Sequence, residues 1–139
     1  MASAFNKFNS FVEACAEKVH NLGSDQLMVA LTNAANPPLA TDTVLADQVE
    51  IAYTNCSSRV LTQASSAQSG GTYKLVLNDL VLTATGGSVG PFRYVILYNN
   101  TATNKELIGW YDYLSDTTLL ANETMTLDFD PGTGVLTIA

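Results

Sequence analysis

The chain has 139 residues, with 6 basic against 13 acidic side chains and a net charge of −7. That length suits one domain burying roughly two thirds of its unfolded surface, so a core needs neither disulfides nor a metal. The few Lys and Arg residues are scattered singly, which argues against nucleic acid as a partner, because binding phosphates depends on their charge.

Residues 8–22 are the one convincing helical stretch. Phe8, Phe11, Val12, Cys15, Val19 and Leu22 recur at three- and four-residue spacing and predict an apolar stripe. Ser10 and Glu13 have capping-box spacing, in which case Phe8 lies just outside as a staple. Glu13 and Glu17 come early, Lys18 and His20 late, as the macrodipole prefers, and Gly23 is a natural stop. The stripe either packs across one edge of a sheet or docks on a neighbouring subunit.

Gln26 to Leu31 reads as the first strand. The following loop, TNAANPPLATDT, is held extended by Pro37-Pro38 and is either an inter-subunit arm or a crossover between sheets. Val44 to Tyr53 is ambiguous: Leu45, Val49 and Ala52 suit a helical turn, whereas Val49, Ile51 and Tyr53 alternate. A short strand near Gln48 to Tyr53 is expected. Arg59 to Ala64 gives another strand and SSAQSGG a flexible turn. Tyr73, Leu75 and Leu77 then share a face, but beyond Asn78-Asp79 the apolar set shifts to Leu80, Leu82 and Ala84. A one-residue slip exchanges faces, so Asn78-Asp79 marks a bulge or a change of sheet.

The densest stretch is GGSVGPFRYVILYNNTATNKELIGWYDY, from Gly86 to Tyr113. Phe92, Tyr94, Ile96 and Tyr98 oppose Arg93, Val95 and Leu97. Leu107, Gly109, Tyr111 and Tyr113 oppose Ile108, Trp110 and Asp112. Period-2 aromatic and β-branched runs of this kind predict two strands at the heart of the sheets. Thr117 to Leu120 and Thr124 to Phe129 follow as strands, DPGTG supplies a last hairpin turn, and Val135 to Ile138 closes the sheet. Eight or nine short strands with one N-terminal helix predict a single β-sandwich or small-barrel domain over 1–139, with the helix at about 8–22 and the sheets over 26–139. The spacing fits jelly-roll-like and immunoglobulin-like wiring equally.

Chemistry-bearing patterns are sparse. His20 is the single histidine, with no nucleophile at motif spacing, and reads as a surface residue at the helix end. Asp112, Asp116, Asp128 and Asp130 are candidates for a carboxylate pair or a calcium site, but DFDPGTG has no later bidentate Glu, and Asp130 reads as turn-forming. Cys15 and Cys56 read as two buried free thiols. Gly86, Gly87 and Gly90 do not spell a phosphate-binding loop. Asn55, Asn99 and Asn122 head glycosylation sequons, read as coincidental because the opening MASAFNKFNS has no signal-peptide core. No run approaches membrane-spanning length. Trp110, Tyr111 and Tyr113 form either a sugar-stacking platform or part of the core. No catalytic, cofactor-binding or metal-binding residue is assigned.

Together with LVLNDLVLTATGG before it and LDFDPGTGVLTIA after it, the central stretch resembles a group of small virion proteins of tailed bacteriophages. These are encoded among the head genes and taken for capsid decoration, or cement, proteins. The opening FNKFNSFVEACAEKVHNLGSDQLMVALTN is similar to their N-terminus, and only residues 34–70 match loosely. The resemblance implies a non-enzymatic structural protein, made in the bacterial cytoplasm, that binds the outer surface of the assembled capsid and stabilises it. Its partners would be the major capsid protein and copies of itself, with a trimer expected by analogy. A tail or fibre component and a carbohydrate-binding module are the alternatives.

The composition agrees with that expectation. Charged residues make up 14% of the chain, against about 25% in an ordinary soluble domain, which suggests that part of the surface is covered. The candidate capsid or inter-subunit contacts are Phe5, Phe8 and Phe11 in the N-terminal segment and Pro37 and Pro38 in the loop. Many like-charged copies crowded on a shell repel, so attachment should weaken at very low ionic strength. Shell occupancy measured across a salt series checks this, and a maximum in salt-free buffer would contradict it.

Overall fold

The computed structural model describes residues 4–139. Nine strands form in antiparallel sheets: β1 (Asn6–Lys7), β2 (Leu27–Thr32), β3 (Gln63–Ser69), β4 (Thr72–Leu77), β5 (Leu80–Thr83), β6 (Val89–Asn99), β7 (Leu107–Leu119), β8 (Thr124–Leu127) and β9 (Leu136–Ile138). One short helix, α1 (Phe11–Ala16), and a 3₁₀ turn at Leu45–Asp47 accompany them. The strand orders are β1-β7-β6-β2, β3-β4-β9 and β5-β8. The main core lies between the four-stranded sheet and the two smaller ones, with Leu27, Val29, Leu31, Val95, Leu97 and Ile108 meeting Leu75, Leu77, Leu82, Leu127 and Leu136. The fold is mainly β and sandwich-like, as the spacing predicted.

β6 is the axis of the domain. It pairs along β2 from Leu27↔Asn99 to Thr32↔Tyr94 and along most of β7. Val95 and Leu97 enter the main core, while Ile96 and Tyr98 enter a second cluster with Phe8, Ala30 and Leu107 on the opposite face. Both faces of the sheet are therefore dry along the middle of β6.

Two departures from the expected alternation come from bulges. The β6–β7 register shifts between Phe92 and Tyr94, and Phe92 joins Val95 in the main core instead of sharing a face with Tyr94, Ile96 and Tyr98. A second shift separates the pairs Leu97↔Gly109 and Tyr98↔Leu107, leaving Ile108 as the extra residue. Leu107 and Trp110 consequently lie on the second-cluster face, with Ile108, Tyr111 and Tyr113 on the main-core face. One inserted residue exchanges every side chain beyond it.

The N-terminal segment is not one helix. α1 covers six residues, and the chain turns away at Lys18, which takes φ 66°; the amides of Val19 and His20 fold back onto the Ala14 carbonyl (2.9 and 3.4 Å). Ser10 makes no side-chain cap bond, so the capping box does not form. The apparent stripe merges residues with separate destinations. Phe8 packs on Trp110 at a centroid distance of 4.6 Å in the second cluster, Phe11 and Leu22 enter the main core, and Val12 is exposed.

Other corrections concern the middle and the end of the chain. Residues 48–53 form no strand. They run beside β2, where the Ile51 amide bonds the Leu31 carbonyl (3.0 Å) and the Tyr53 hydroxyl accepts from the Leu31 amide (2.9 Å) and donates to Glu50 (2.7 Å). Arg59 stacks over the Tyr53 ring and donates to the Val29 carbonyl (2.6 Å). The next strand begins at Gln63 rather than Arg59 and runs through the serines, with only Gly70-Gly71 left as the turn, both at positive φ, as a two-residue hairpin requires. β8 pairs β5 and β9 pairs β4, so DPGTG joins two sheets rather than closing a hairpin. Within it Asp130 accepts from the Gly132 amide (2.7 Å) and the Thr133 hydroxyl (3.0 Å), the turn-forming role expected.

Gly109 leaves almost no room for a side chain. A Cβ there would overlap the Phe5 ring and lie 2.5 Å from the Asn6 carbonyl oxygen, so β1 can pair with β7 in this way only because this residue has no side chain. Gly109→Ala should therefore lift β1 off the sheet and cost about 1–3 kcal/mol, the usual penalty of overpacking. A urea melt compared with wild type measures it, and an unchanged midpoint would show that β1 is not held there.

Candidate functional site

The five candidate contact residues fare differently. Phe8 (0% exposed) and Phe11 (4%) are committed to the chain's own interior, and Pro38 is buried as well. Phe5 is half-buried against Tyr111 (centroids 5.4 Å), and Pro37 is exposed. Phe8, Phe11 and Pro38 thus have no surface to offer in this fold. The proline loop is also tied to its own chain, through the Ala40 carbonyl to the Asn9 amide (2.9 Å) and the Thr43 carbonyl to the Leu107 amide (3.0 Å).

His20 is not at the surface. It is 8% exposed, because the reversal at Lys18 carries it inward beside Phe11. Asn99 Oδ1 accepts the amides of Thr101 (3.0 Å) and Ala102 (3.1 Å), which fixes its amide orientation. Its Nδ2 then donates to Asp25 (2.7 Å) and to His20 Nδ1 (3.0 Å), leaving the ring proton on Nε2, which has no partner among the described residues. Burial pulls the imidazole pKa below its ordinary value despite the nearby Glu106 and Asp25 charges. The group acts as a neutral knot that closes the β6–β7 connection.

Trp110 is separated from Tyr111 and Tyr113 by the sheet itself, lying in the second cluster while they pack on the main core. The three do not form one stacking platform. Cys15 and Cys56 are free and half-buried, with burial raising both thiol pKa values. Among the described residues no group of His, Cys, Asp or Glu is placed to hold a metal, and no helix is long and apolar enough to cross a membrane.

The most constructed surface feature lies in β7, where Asp112 and Asp116, candidates for a carboxylate pair or a calcium site, instead pin a bulge. Phe92 pairs with Thr117 and Tyr94 with Asp112, so two steps along β6 are matched by five along β7 and three extra residues loop out. Arg93 grips Asp112 with a two-point fork, Nε to Oδ1 at 2.8 Å and Nη2 to Oδ2 at 3.1 Å. Asp112 Oδ1 also accepts the Leu114 amide (2.7 Å). Asp116 reaches across to the Ala34 amide (2.9 Å) and ties the bulge to the start of the proline loop. Leu114, at the crest, takes φ 73° and is 61% exposed. On the tethered loop Leu39 is 59% exposed.

A branched aliphatic residue in the left-handed region costs about 1–2 kcal/mol, and exposing it forfeits its burial. Folding alone does not ask for leucine at that position. Bulges of this type re-aim side chains, and an observed backbone outlier points toward function.

The class is therefore a mainly β, sandwich-like domain with a pinned, leucine-bearing bulge at its surface. Comparison of the chain with known protein families, curated proteins and solved structures found no match.

The fork sets the pH response of the bulge. The Arg93 hydrogen bonds hold the Asp112 carboxyl below its ordinary pKa, with the Leu114 amide adding to the effect. A depressed carboxylate contributes its stabilisation above the ordinary aspartate range and loses it as pH falls through the folded value. The bulge should accordingly loosen in acid below the usual aspartate titration, before the buried ladder of β6. Amide exchange at Leu114 against Val95 over a pH series, corrected for intrinsic exchange rates, reads this out. Equal protection at every pH would refute it.

Proposed function

We propose that this chain is a virion structural protein of a tailed bacteriophage that binds the outer surface of the assembled capsid and stabilises it. The sequence resemblance names the class, and the observation that carries a binding role is Leu114. It is a strained, exposed leucine on a bulge fixed by Arg93, Asp112 and Asp116. Binding energy at partner surfaces is concentrated in a few residues, and a pre-fixed bulge loses little entropy on docking. Leu39, on the loop tied to the bulge through Ala34, is a second exposed leucine.

The mechanism is binding linkage. A ligand that prefers the assembled lattice to free subunits stabilises the lattice by its binding free energy. A protein touching two or three shell subunits, or assembled with its own copies, gains further through effective concentration. A net charge of −7 suits the outside of a shell better than a surface facing packaged DNA.

Two variants separate folding from attachment. Leu114→Gly removes the backbone strain and should leave the protein as stable as wild type or slightly more so. Leu114→Glu keeps the strain and puts charge on the anchor. Both should co-sediment with phage heads lacking the protein about tenfold less well than wild type, corresponding to roughly 1.4 kcal/mol, with thermal midpoints at or near the wild-type value. Normal attachment of both variants sinks the Leu114 surface. Wild-type protein found on tails rather than heads by electron microscopy would move the role to a tail or fibre component.

A further inference from the structure

A cleft of about 650 Å³ opens between the N-terminal strand, β7, β8 and the Asp130 turn. Phe5, Tyr111, Tyr113 and Met125 supply apolar and aromatic lining, and Asp128 and Asp130 supply carboxylates. Its size lies within the range of pockets that take small molecules or single side chains, and its mix of aromatic walls with few polar groups is typical of them. The tyrosines reach it because the Ile108 bulge puts Tyr111 and Tyr113 on the main-core face, where they are partly buried against the core.

The polar groups of this cleft divide into committed and uncommitted. Asp130 is spent on its own turn, through Gly132 and Thr133. Lys74, whose charge acts on Asp130, donates to the Gly132 carbonyl (3.0 Å). Asp128 has no hydrogen bond or ion pair among the described residues, and neither tyrosine hydroxyl has a hydrogen bond there. Asp128 is close enough to Tyr113 for its charge to reinforce the burial that raises the Tyr113 pKa, and burial pushes Tyr111 up to about 12. Both rings thus stay neutral and electron-rich beside an unneutralised carboxylate, on a chain whose net charge is −7.

We propose that this cleft receives a guanidinium or primary ammonium group, seated against the tyrosine rings with its charge on Asp128. Tyrosine rings attract cations through their quadrupole, more so when partly desolvated, and a planar guanidinium can stack on a ring while hydrogen-bonding a carboxylate. A neutral polar ligand would make no charge-assisted bond to Asp128. The site is independent of the Leu114 surface and stands whether or not the chain attaches to capsids.

Amide NMR titrations of the intact protein test it with three probes: N-acetylarginine amide, its neutral isostere N-acetylcitrulline amide, and spermidine. Saturable shifts confined to residues 111–113 and 125–135 are expected for the cations. They should weaken at least tenfold for the citrulline probe and in Asp128→Asn, an exposed substitution whose thermal melt checks that the fold is intact. Tighter binding of the arginine probe than of spermidine assigns the site to a protein side chain, and the reverse order assigns it to a free amine. Absence of cation-induced shifts, equal response to citrulline, or unchanged binding by Asp128→Asn overturns the proposal.

Discussion

The structure depends on β6 having no wet face. Val95 and Leu97 point one way and Ile96 and Tyr98 the other, and all four are buried. A strand covered on both sides must be roofed twice, and the rest of the chain divides along that line. The small sheets β3-β4-β9 and β5-β8 cover one face. Phe8, Leu45 and Trp110 help cover the other. The N-terminal segment therefore cannot be a detachable arm, since Phe8 belongs to one cluster and Phe11 to the other. At roughly 1.5–3 kcal/mol for each large apolar side chain fully buried, losing Phe8 and Phe11 would cost about 3–6 kcal/mol, a large share of a typical domain's stability, so a deletion would report on folding as much as on binding.

The acidity of the chain has a structural use. Asp25, Asp42, Asp47, Asp79, Asp112, Asp116, Asp130 and Glu123 each accept a backbone amide from a loop or strand end. Irregular segments otherwise leave such amides to solvent. Charge-assisted bonds of this kind are stronger than neutral ones, so they help fix the loops that make up much of the sequence. The two surface features proposed to bind partners both border this network, the bulge through Asp112 and Asp116 and the cleft through Asp130.

What was legible in the sequence follows from periodicity. Alternating runs such as Phe92 to Tyr98, Tyr73 to Leu77 and Thr124 to Phe129, of which the last ends as a strand at Leu127, announce strands, because period 2 is imposed by the pleat itself. The break at Asn78-Asp79 was legible for the same reason, as a phase change, and it does separate two sheets. What periodicity cannot carry is a bulge within an apolar run. Ile108 and Phe92 are hydrophobic on either face, so nothing in their chemistry marks the slip. The helix from Phe8 to Leu22 failed because apolar residues bound for two clusters happened to fall at helical spacing, and no glycine announced the turn at Lys18. The candidate site was less legible still. The sequence marks Asp112, Asp116 and Asp128 as candidates for a carboxylate pair or a calcium site, but only the fold brings Arg93, Ala34 and the Leu114 amide to the first two and sets Asp128 at a cleft built from three distant segments.

The double roofing of the main sheet also restricts how this domain can be tiled. With the middle of that sheet covered on both sides by the chain's own loops and smaller sheets, a neighbour can reach it only at its rim and at projecting points such as Leu114. The open planes are the outer faces of the smaller sheets, where β3 is exposed along most of its length and carries Ser, Ala and Gln.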